Sequence, residues 1–389
     1  MKFKRVTISL VVLVAFVLGV EAAPVRTMLR SPNENEGSRK SPHIGIPSIA
    51  VSPKNGRLWV TWYGGPLAGE NHTNYCVLMT SKDNGETWQE VLVADPDGPK
   101  GPWRAFDPEL WIGPDGILRW TWTERNVGIG GEWGRLSSVE GEQDHLMMCE
   151  LNAEELPTAP YPVPRCIGRG VMMCKPIVLK DGAWLFPVAR WKEEKSSFFY
   201  ASLDGGKTFV ERGGITLPEQ ERHFDEHQAI ELKDGSILAI SRTYWGLGYF
   251  RKAYSRDGGR TWSTPEKTSF AQTSSRVFLT KLRSGNWMLV KNGFLDEGAE
   301  RKRLVAFFSS DEGKTWSRQG LVLDQRENVS YPDGVELKDG RILIVYDRNR
   351  LTDRELLMSC FTEDELKRGG VAAPSRVVVR GADDKGKLP

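Results

Sequence analysis

Hydrophobic residues occur along this chain in short alternating runs, and six of these runs follow a two-residue turn. The runs read RLWVTW, ILRWTW, AWLFPV, SILAIS, NWMLVK and RILIVY. The turns before them are Asn55-Gly56, Asp115-Gly116, Asp181-Gly182, Asp234-Gly235, Ser284-Gly285 and Asp339-Gly340. Asn-Gly and Asp-Gly pairs accept the positive φ angles of tight hairpin turns, so each unit predicts a strand, a turn and a second strand.

The spacing of these turns predicts the fold. Successive turn glycines lie 60, 66, 53, 50 and 55 residues apart. A repeat of this length that contains only strands is typical of a β-propeller, with one four-stranded blade per repeat. Six turns therefore predict an all-β chain folded as a six-bladed β-propeller.

A second motif repeats in step with the first. It has the form S-x-D-x-G-x-T followed by an aromatic residue, and it begins at Ser81, Ser202, Ser255 and Ser309. The Asp carboxylate can accept backbone N–H groups inside the turn, and the aromatic ring can pack under the hairpin. We expect these Asp boxes to be structural and to lie on outer hairpins, away from a central pocket. One box is missing after the first, and the region Glu140–Asp144 is its expected position.

The last segments of the chain indicate how the propeller closes. We expect strand Arg376–Arg380 to join a blade with N-terminal residues, because uniting the first and last strands removes an open edge. The segment Thr362–Arg368 opens with Thr-Glu-Asp-Glu, which resembles a capping box and predicts a short helix.

Composition agrees with a soluble β domain. The 389 residues are 39% hydrophobic and 27% charged, and a formal net charge of +2 gives no reason to expect a nucleic-acid partner. The sequence has no phosphate-binding loop, no dinucleotide fingerprint and no Cys/His cluster with metal spacing, so we predict no cofactor and no metal. The odd count of five cysteines favours buried thiols, with a single Cys166–Cys174 bridge as the alternative.

The N-terminus predicts export. Three basic residues within the first five precede an apolar run from Val6 to Val20, which small residues follow. This is the layout of a secretory signal peptide over residues 1–22, which leaves residues 23–389 as one propeller domain. A retained membrane anchor is the alternative, but the run is short for one. We expect a secreted or periplasmic protein with no membrane span in the mature chain.

Three segments carry polar residues where the inner strands of a propeller would converge. His223–Gln228 precedes a predicted hairpin that ends at Arg242, and Arg301–Arg303 leads into the last Asp box. Tyr331 stands at the start of the last hairpin, with Asp333 just after it. Residues from different blades can meet at the propeller axis although they lie far apart in sequence.

In these segments the chain resembles the sialidase (neuraminidase) superfamily, and within it the bacterial exported exo-α-sialidase-like proteins with Asp-box repeats. Those proteins have a Glu and a substrate-binding Arg on either side of one strand-turn-strand unit, and Glu226 and Arg242 match that pair. A second Arg precedes the next Asp-box strand and stands about 30 residues before the catalytic Tyr, and Arg301 and Tyr331 match that spacing. The resemblance covers nearly all of residues 40–380. It implies a sialidase-like propeller in which Tyr331 is the nucleophile, Glu226 its base, and the two arginines a clamp for a carboxylate.

Two positions of the family pattern are filled differently here. Gly45 stands where sialidases have the first arginine of their clamp, and the loop 64–71 has no Asp where their acid/base Asp lies. The candidates for these two roles are Glu70, Asp107, His43 and Arg39, and we take Asp107 as the catalytic one. Other stretches resembling the bacterial group add further substrate-binding candidates, which are Arg104, Lys175, Arg276, His43, His227 and Asp333.

The chemistry of an acidic sugar explains this set of residues. Sialic acid carries a carboxylate beside its anomeric carbon, and guanidinium groups bind a carboxylate through two parallel hydrogen bonds. A neutral tyrosine avoids the repulsion that an Asp or Glu nucleophile would meet there, and a neighbouring Glu can activate it. We therefore predict an exported exo-glycosidase, foremost an exo-α-sialidase, whose partner is a glycan with a terminal acidic sugar. A hydrolase or lyase for a uronic acid and a non-catalytic glycan-binding propeller are the alternatives.

Overall fold

The computed structural model describes residues 27–130, 144–191, 197–224, 226–298 and 300–383. The predicted signal peptide, residues 1–22, lies outside these ranges, as does Asp225 beside Glu226. Among the described residues, no helix has the length and apolar character needed to cross a membrane.

Six antiparallel sheets form the blades, and the first three use the N-terminal half of the chain. Blade 1 has the short β1 (Met28–Arg30) on its outer edge, followed by β2 (His43–Val51), β3 (Leu58–Gly65), β4 (Tyr75–Ser81) and β5 (Gln89–Asp95). Blade 2 contains β6 (Trp103–Ile112), β7 (Ile117–Asn126), β8 (His145–Asn152) and β9 (Arg165–Arg169). Blade 3 contains β10 (Ile177–Val178), β11 (Trp184–Ala189), β12 (Ser197–Ser202) and β13 (Val210–Ile215).

The C-terminal half supplies the other three blades. Blade 4 contains β14 (His227–Glu231), β15 (Ile237–Ser241), β16 (Tyr249–Ser255) and β17 (Glu266–Ala271). Blade 5 contains β18 (Phe278–Lys281), β19 (Trp287–Asn292), β20 (Lys302–Ser309) and β21 (Leu321–Glu327). Blade 6 contains β22 (Val329–Glu336), β23 (Arg341–Arg348) and β24 (Glu355–Thr362). After helix α1 (Glu363–Arg368), the short β25 (Gly370–Val371) adds to blade 5 and β26 (Arg376–Arg380) completes blade 6.

This architecture confirms the predicted all-β, six-bladed propeller. The first strand of each blade faces the axis, so β2 packs against β6 and β22, and β14 packs against β10 and β18. Short 3-10 turns occur at Ser38–Lys40, Glu219–Glu221 and Trp245–Leu247. The predicted capping box is present at α1, where the Thr362 hydroxyl accepts the Glu365 N–H and the Glu365 carboxylate accepts the Thr362 N–H.

All six predicted turns join the first and second strands of their blades. The glycines at positions 56, 116, 182, 235, 285 and 340 have φ between 72° and 87°, a range that strains other residues. Each turn therefore fixes the first hairpin of a blade through local backbone chemistry.

The four Asp boxes lie between the third and fourth strands of blades 1, 3, 4 and 5, as outer hairpins. In the box of blade 4, Asp257 accepts the Thr261 N–H at 2.9 Å and the Thr261 hydroxyl at 2.6 Å. The Ser255 hydroxyl donates to Asp257 and accepts the Gly259 N–H, both at 2.8 Å. The Asp–Thr bonds recur in the other three boxes. No box residue lines the central cavity described below, which agrees with a structural role.

Two expectations about the repeat are wrong. The expected box position, Glu140–Asp144, is the first of them, and its residues 140–143 lie outside the described part. The turn between the third and fourth strands of blade 2 spans residues 153–164, so a box of this blade would fall there instead. β26 pairs with β24 inside blade 6, and no N-terminal strand of the described chain joins that sheet. The ring needs no shared blade because residues 329–380 supply all four strands of blade 6.

Contacts between β2 and blade 6 close the ring instead. The Ile46 N–H donates to Asp347 at 2.9 Å, and the Ile49 N–H donates to Asp333 at 2.8 Å. The Ile44 N–H donates to the carbonyl of Arg350 at 3.3 Å. These bonds lie near the axis, so the seam between the first and last blades runs through the candidate site.

The core fills the spaces between adjacent blades. Its largest buried side chains include four tryptophans of the second strands of blades 1 and 2, which are Trp59, Trp62, Trp120 and Trp122. All four are fully buried, so they pack between blades rather than present a ring to a sugar. The five cysteines are free thiols, so the alternative of a Cys166–Cys174 bridge is wrong.

Candidate active site

Three of the inner strands, which line the propeller axis, contain the same backbone irregularity. β2, β6 and β22 each contain a β-bulge, and its first residue has a positive φ of 52° at Ile46, 49° at Asp107 and 52° at Tyr331. A proline follows in each strand, which cannot donate a ladder hydrogen bond. Positive φ at a residue other than glycine costs on the order of 1–3 kcal/mol, and such strain concentrates at functional sites. Two of the three bulges carry polar side chains, Asp107 and Tyr331.

The Tyr331 hydroxyl is the centre of a polar group built from three blades. It donates to Glu226 Oε1 at 3.4 Å and accepts from Arg301 Nη2 at 3.2 Å and Arg242 Nη1 at 3.4 Å. Arg242 Nη1 also donates to Glu226 Oε1 at 2.6 Å, with both side chains almost fully buried. The structure thus brings together the four residues that sequence analysis selected as nucleophile, base and clamp.

Backbone and side-chain contacts hold these groups in position. Tyr331 is 5% exposed, and its N–H donates to the Ser275 hydroxyl at 3.0 Å. Arg301 Nε donates to the Ser274 carbonyl at 2.7 Å, and Arg242 Nη2 donates to the Ser274 hydroxyl at 3.2 Å. The second carboxylate oxygen of Glu226 is buried and accepts no hydrogen bond within the described residues.

A cavity of about 620 Å³ lies beside this group. Its lining includes Arg301, Ser330 and Arg350 from the last two blades and His43 and Glu70 from the first. The guanidinium groups of Arg301 and Arg350 lie 4.9 and 5.3 Å from the centre of the Tyr331 ring. The volume fits the range of small-molecule sites, and its walls carry more positive than negative charge.

Asp107 has the electrostatics of a general acid. It is 6% exposed, and burial together with the nearby Glu70 carboxylate raises the pKa of Asp107 from 3.8 to about 8. Near pH 7 this carboxyl therefore carries its proton. A carboxylic acid with a pKa near the working pH is suited to protonating a leaving group.

The pKa values of Glu70 and His43 are lowered, whereas that of Asp107 is raised. Burial alone would raise the pKa of Glu70, but the guanidinium groups of Arg104 and Arg350 outweigh it and lower that pKa below its ordinary value. Burial, with Arg350 adding to the effect, lowers the pKa of His43 to about 3. Near neutral pH, Glu70 is ionised and His43 is neutral, so neither can serve as a proton donor as Asp107 can.

Three other predicted residues lie beside groups other than the Tyr331 hydroxyl. The Arg104 guanidinium lies 4.2 Å from the Phe106 ring centre and 3.8 Å from Glu70, so it supports the Glu70 side of the cavity. The His227 ring contacts the Phe198 carbonyl at 2.7 Å on the neighbouring blade. Arg39 lies on the outer rim, where it lines a separate groove with Trp88.

Three further predicted residues form an ion cluster farther along the inner strands. The Lys175 ammonium donates to Asp333 at 2.6 Å and to Glu109 at 3.1 Å, and Arg276 Nη1 donates to Glu109 at 3.1 Å. Glu109 is fully buried, and burial together with the neighbouring Asp333 raises the pKa of Glu109. These groups bond to one another at the axis. The assignment of Lys175, Arg276 and Asp333 to substrate binding stays a prediction.

Sequence analysis did not select Arg350, which the structure brings to the cavity. Arg350 follows the end of β23 by two residues, and Arg242 follows the end of β15 by one. Arg190 stands in the same place after β11. An arginine at the exit of the second strand of a blade is therefore a recurring feature that could have identified Arg350.

The described residues offer no metal site, since no three His, Cys, Asp or Glu side chains among them are grouped to bind an ion. Arg301 instead connects the cavity, which it lines with Arg350, to the hydrogen-bonded group of Tyr331, Glu226 and Arg242. The protonated carboxyl of Asp107 lies on the inner strand β6. This set can bind an anion, deliver a nucleophilic oxygen and donate a proton.

Comparisons with known proteins agree with this architecture. The BNR repeat-like domain family matches residues 123–344. No curated protein has a sequence significantly similar to the chain. Among solved structures, a Dyadobacter fermentans protein of unknown function is 20% identical, with a TM-score of 0.60 over 85% of this chain and 96% of that chain.

Two sialic-acid enzymes have a similar fold. The leech intramolecular trans-sialidase, solved with 2,7-anhydro-Neu5Ac, is 15% identical, with a TM-score of 0.62 over 87% of this chain and 71% of that chain. The Ruminococcus gnavus intramolecular trans-sialidase, solved with oseltamivir carboxylate, is 16% identical, with a TM-score of 0.60 over 87% and 98%. At these identities the likeness concerns the fold. Since the family match spans more than half of the sequence, the chain belongs to the BNR repeat-like domain family and has a sialidase-like six-bladed propeller.

Proposed function

We propose that this chain is an exported exo-glycosidase that hydrolyses terminal acidic sugars, with α-linked sialic acid as the leading substrate. The observation that carries the proposal is the Tyr331 hydroxyl, which lies 3.4 Å from Glu226 Oε1 and accepts hydrogen bonds from two arginines beside a 620 Å³ cavity. The predicted signal peptide supports export, and the similar fold of two trans-sialidases supports the choice of sugar.

In the first step, the Tyr331 oxygen attacks the anomeric carbon of the bound sugar. Its proton passes to Glu226, the adjacent carboxylate, and the bond between the anomeric carbon and the aglycone oxygen breaks. Asp107 protonates the departing oxygen, which its raised pKa permits near pH 7. The product of this step is a tyrosyl-linked sugar and a free aglycone.

In the second step, water attacks the same carbon and gives a proton to the Asp107 carboxylate. The Tyr331 oxygen leaves and recovers its proton from Glu226, so the sugar is released and the enzyme regains its starting state. Configuration at the anomeric carbon is retained because two inversions occur.

The arginines explain why the sugar should be acidic. Arg242 and Arg301 stand on either side of the Tyr331 hydroxyl, so a carboxylate attached to the anomeric carbon would lie within reach of guanidinium donors. The charge of Arg242 is balanced in part by Glu226, whereas Arg301 forms its hydrogen bonds with a carbonyl and the Tyr331 hydroxyl. Arg301 is therefore the member of the pair with more charge to offer a ligand.

The proposal is tested by a screen of aryl glycosides that includes α-sialosides, β-glucuronides and neutral sugars. We expect hydrolysis of the α-sialoside and no hydrolysis of neutral glycosides. Tyr331→Phe removes one hydroxyl and keeps the ring, so it should lower kcat by about a thousandfold or more without changing the unfolding midpoint. Full activity in Tyr331→Phe would rule out the mechanism.

The same screen separates the alternatives. Turnover of glucuronides but not of sialosides would identify a uronic-acid enzyme. If the wild type shows no turnover, and if sialic acid binding measured by calorimetry survives Tyr331→Phe, the chain is a glycan-binding propeller.

A further inference from the structure

We infer that Arg350 is a carboxylate-binding residue of this cavity and that it fills the space which any side chain at position 45 would require. The inference depends on the proposed function only for the identity of the sugar, because it concerns recognition of the carboxylate itself.

The first observation is the fit between Gly45 and Arg350. A Cβ added to Gly45 would lie 2.1 Å from Cδ and 2.8 Å from Cγ of Arg350, far inside van der Waals contact. Gly45 is absent from the residues with positive φ, so its backbone conformation is open to other residues. A side chain at position 45 would therefore have to displace Arg350 from its present position. The aliphatic part of Arg350, supplied by the last blade, crosses the first blade where a side chain would otherwise project.

The second observation is that the Arg350 guanidinium is held in place without a ligand. Its Nη1 lies 3.3 Å from Glu70 Oε1, and its Nε lies 3.8 Å from Asp347 Oδ2. Asp347 is itself fixed by the Ile46 N–H at 2.9 Å. A guanidinium held on two sides loses little conformational freedom when it binds an anion, which favours affinity.

The third observation is the positive charge that Arg350 and Arg301 give to the cavity walls. Arg350 and Arg301 both line it, and both lie about 5 Å from the Tyr331 ring centre. An anion bound in the cavity by either guanidinium group would therefore lie near Tyr331. His43, which also lines the cavity, is 2% exposed, and its two ring nitrogens form no hydrogen bond within the described chain. It offers a neutral polar contact to the same ligand.

The experiment compares binding of N-acetylneuraminic acid with binding of its methyl ester, which lacks the negative charge. Calorimetry on Arg350→Ala should show at least about a tenfold loss of affinity for the acid, the size expected for a charged hydrogen bond, and little change for the ester. Arg348→Ala, two residues away and paired with Glu355 and Asp353, is the matched control and should bind the acid like the wild type.

A reciprocal variant tests the spatial argument. Gly45→Arg alone should weaken binding of the acid, because the new stem and Arg350 compete for one space. Gly45→Arg combined with Arg350→Ala returns a single guanidinium to this region and should recover most of the affinity that Arg350→Ala loses. Circular dichroism and the unfolding midpoint of each variant show whether a loss comes from misfolding.

The outcomes distinguish this inference from the proposed function. Unchanged binding of the acid in Arg350→Ala, or a double variant no better than Arg350→Ala, would overturn the inference even if sialosides are hydrolysed. An ester that loses as much affinity as the acid would also overturn it, since the role would then not concern the charge. If the wild type hydrolyses no sialoside but its binding of the acid depends on Arg350, the proposed function fails and the inference stands.

Discussion

The protonated state of Asp107 has a consequence for stability that needs no substrate to measure. In the folded protein, burial and Glu70 raise the pKa of Asp107 from 3.8 to about 8. One pKa unit corresponds to 1.36 kcal/mol, so the shift of about 4 units disfavours the ionised form in the fold by on the order of 5 kcal/mol. Asp107→Asn keeps the shape of the side chain and removes the titration.

The sign follows from proton binding in the two states. Between pH 4 and pH 8 the folded protein holds the Asp107 proton and the unfolded chain does not, so rising pH favours unfolding. The stabilising contribution is complete below the unfolded pKa and is lost as pH rises toward the folded pKa. Relative to Asp107→Asn, the unfolding free energy of the wild type should fall by roughly 3–4 kcal/mol from pH 5 to pH 8.

Urea unfolding followed by fluorescence of the 14 tryptophans measures this difference at each pH. Asp364→Asn, whose side chain is 90% exposed, is the control for the exchange of a carboxylate for an amide far from the site. A flat difference between wild type and Asp107→Asn, or one that grows in favour of the wild type with pH, would refute the reasoning.

The same group should govern the alkaline limb of activity. If Asp107 protonates the leaving group, kcat/KM falls above about pH 8 in the wild type, and the limb is absent in Asp107→Asn. The variant should lose most activity on natural glycosides and least on aryl glycosides with good leaving groups. An alkaline limb that survives the substitution would assign the acid to another residue.

Three further predictions concern single contacts. Arg301→Lys removes the guanidinium donor to Tyr331, so KM for a sialoside should rise about tenfold with a smaller change in kcat, and an equal loss in kcat would contradict a binding role. Asp257→Ala breaks the bonds to Thr261 in an outer box and should lower the unfolding free energy by about 1–2 kcal/mol with KM unchanged; a changed KM would link the box to the site. Thr362→Ala removes the N-cap of α1 and should cost about 1 kcal/mol in urea unfolding, and an unchanged midpoint would mean that the cap adds nothing.

The features that sequence analysis predicted are those fixed by local chemistry. The turn glycines have positive φ in every blade, and the hydrogen bonds of an Asp box close within eight residues. Both patterns can therefore be recognised without knowledge of the tertiary structure. The spacing of Glu226 and Arg242 spans one hairpin, and the pairing of β14 with β15 brings these two side chains to 2.6 Å.

The features that escaped prediction depend on how distant blades meet. Arg350 reaches the cavity because blade 6 packs on blade 1, and the lack of a side chain at Gly45 is explained only by the Arg350 stem that occupies that space. The sequence marks Gly45 as a departure from a family pattern, but the Arg350 stem that occupies the space at Gly45 comes from the last blade. The raised pKa of Asp107 likewise arises from burial and from a carboxylate 37 positions away in sequence.

Ring closure was mispredicted for a related reason. The sequence of β26 alone does not tell whether this strand joins the first or the last blade. It pairs in blade 6, where it is the fourth strand of the sheet. The bonds from β2 to Asp333 and Asp347 then join the ends without a common sheet.

A ring joined in this way has one junction that differs from the other five, and the candidate ligand site spans it. His43 belongs to the first blade, while Ser330 and Arg350 belong to the last. A molecule bound among them would therefore contact both blades and stabilise their packing. A ligand at a hundredfold excess over its Kd adds about 2.7 kcal/mol to the stability of the closed form. Amide hydrogen exchange should therefore slow most along β2 and β22 when a ligand fills the cavity, because these two strands belong to the first and the last blade.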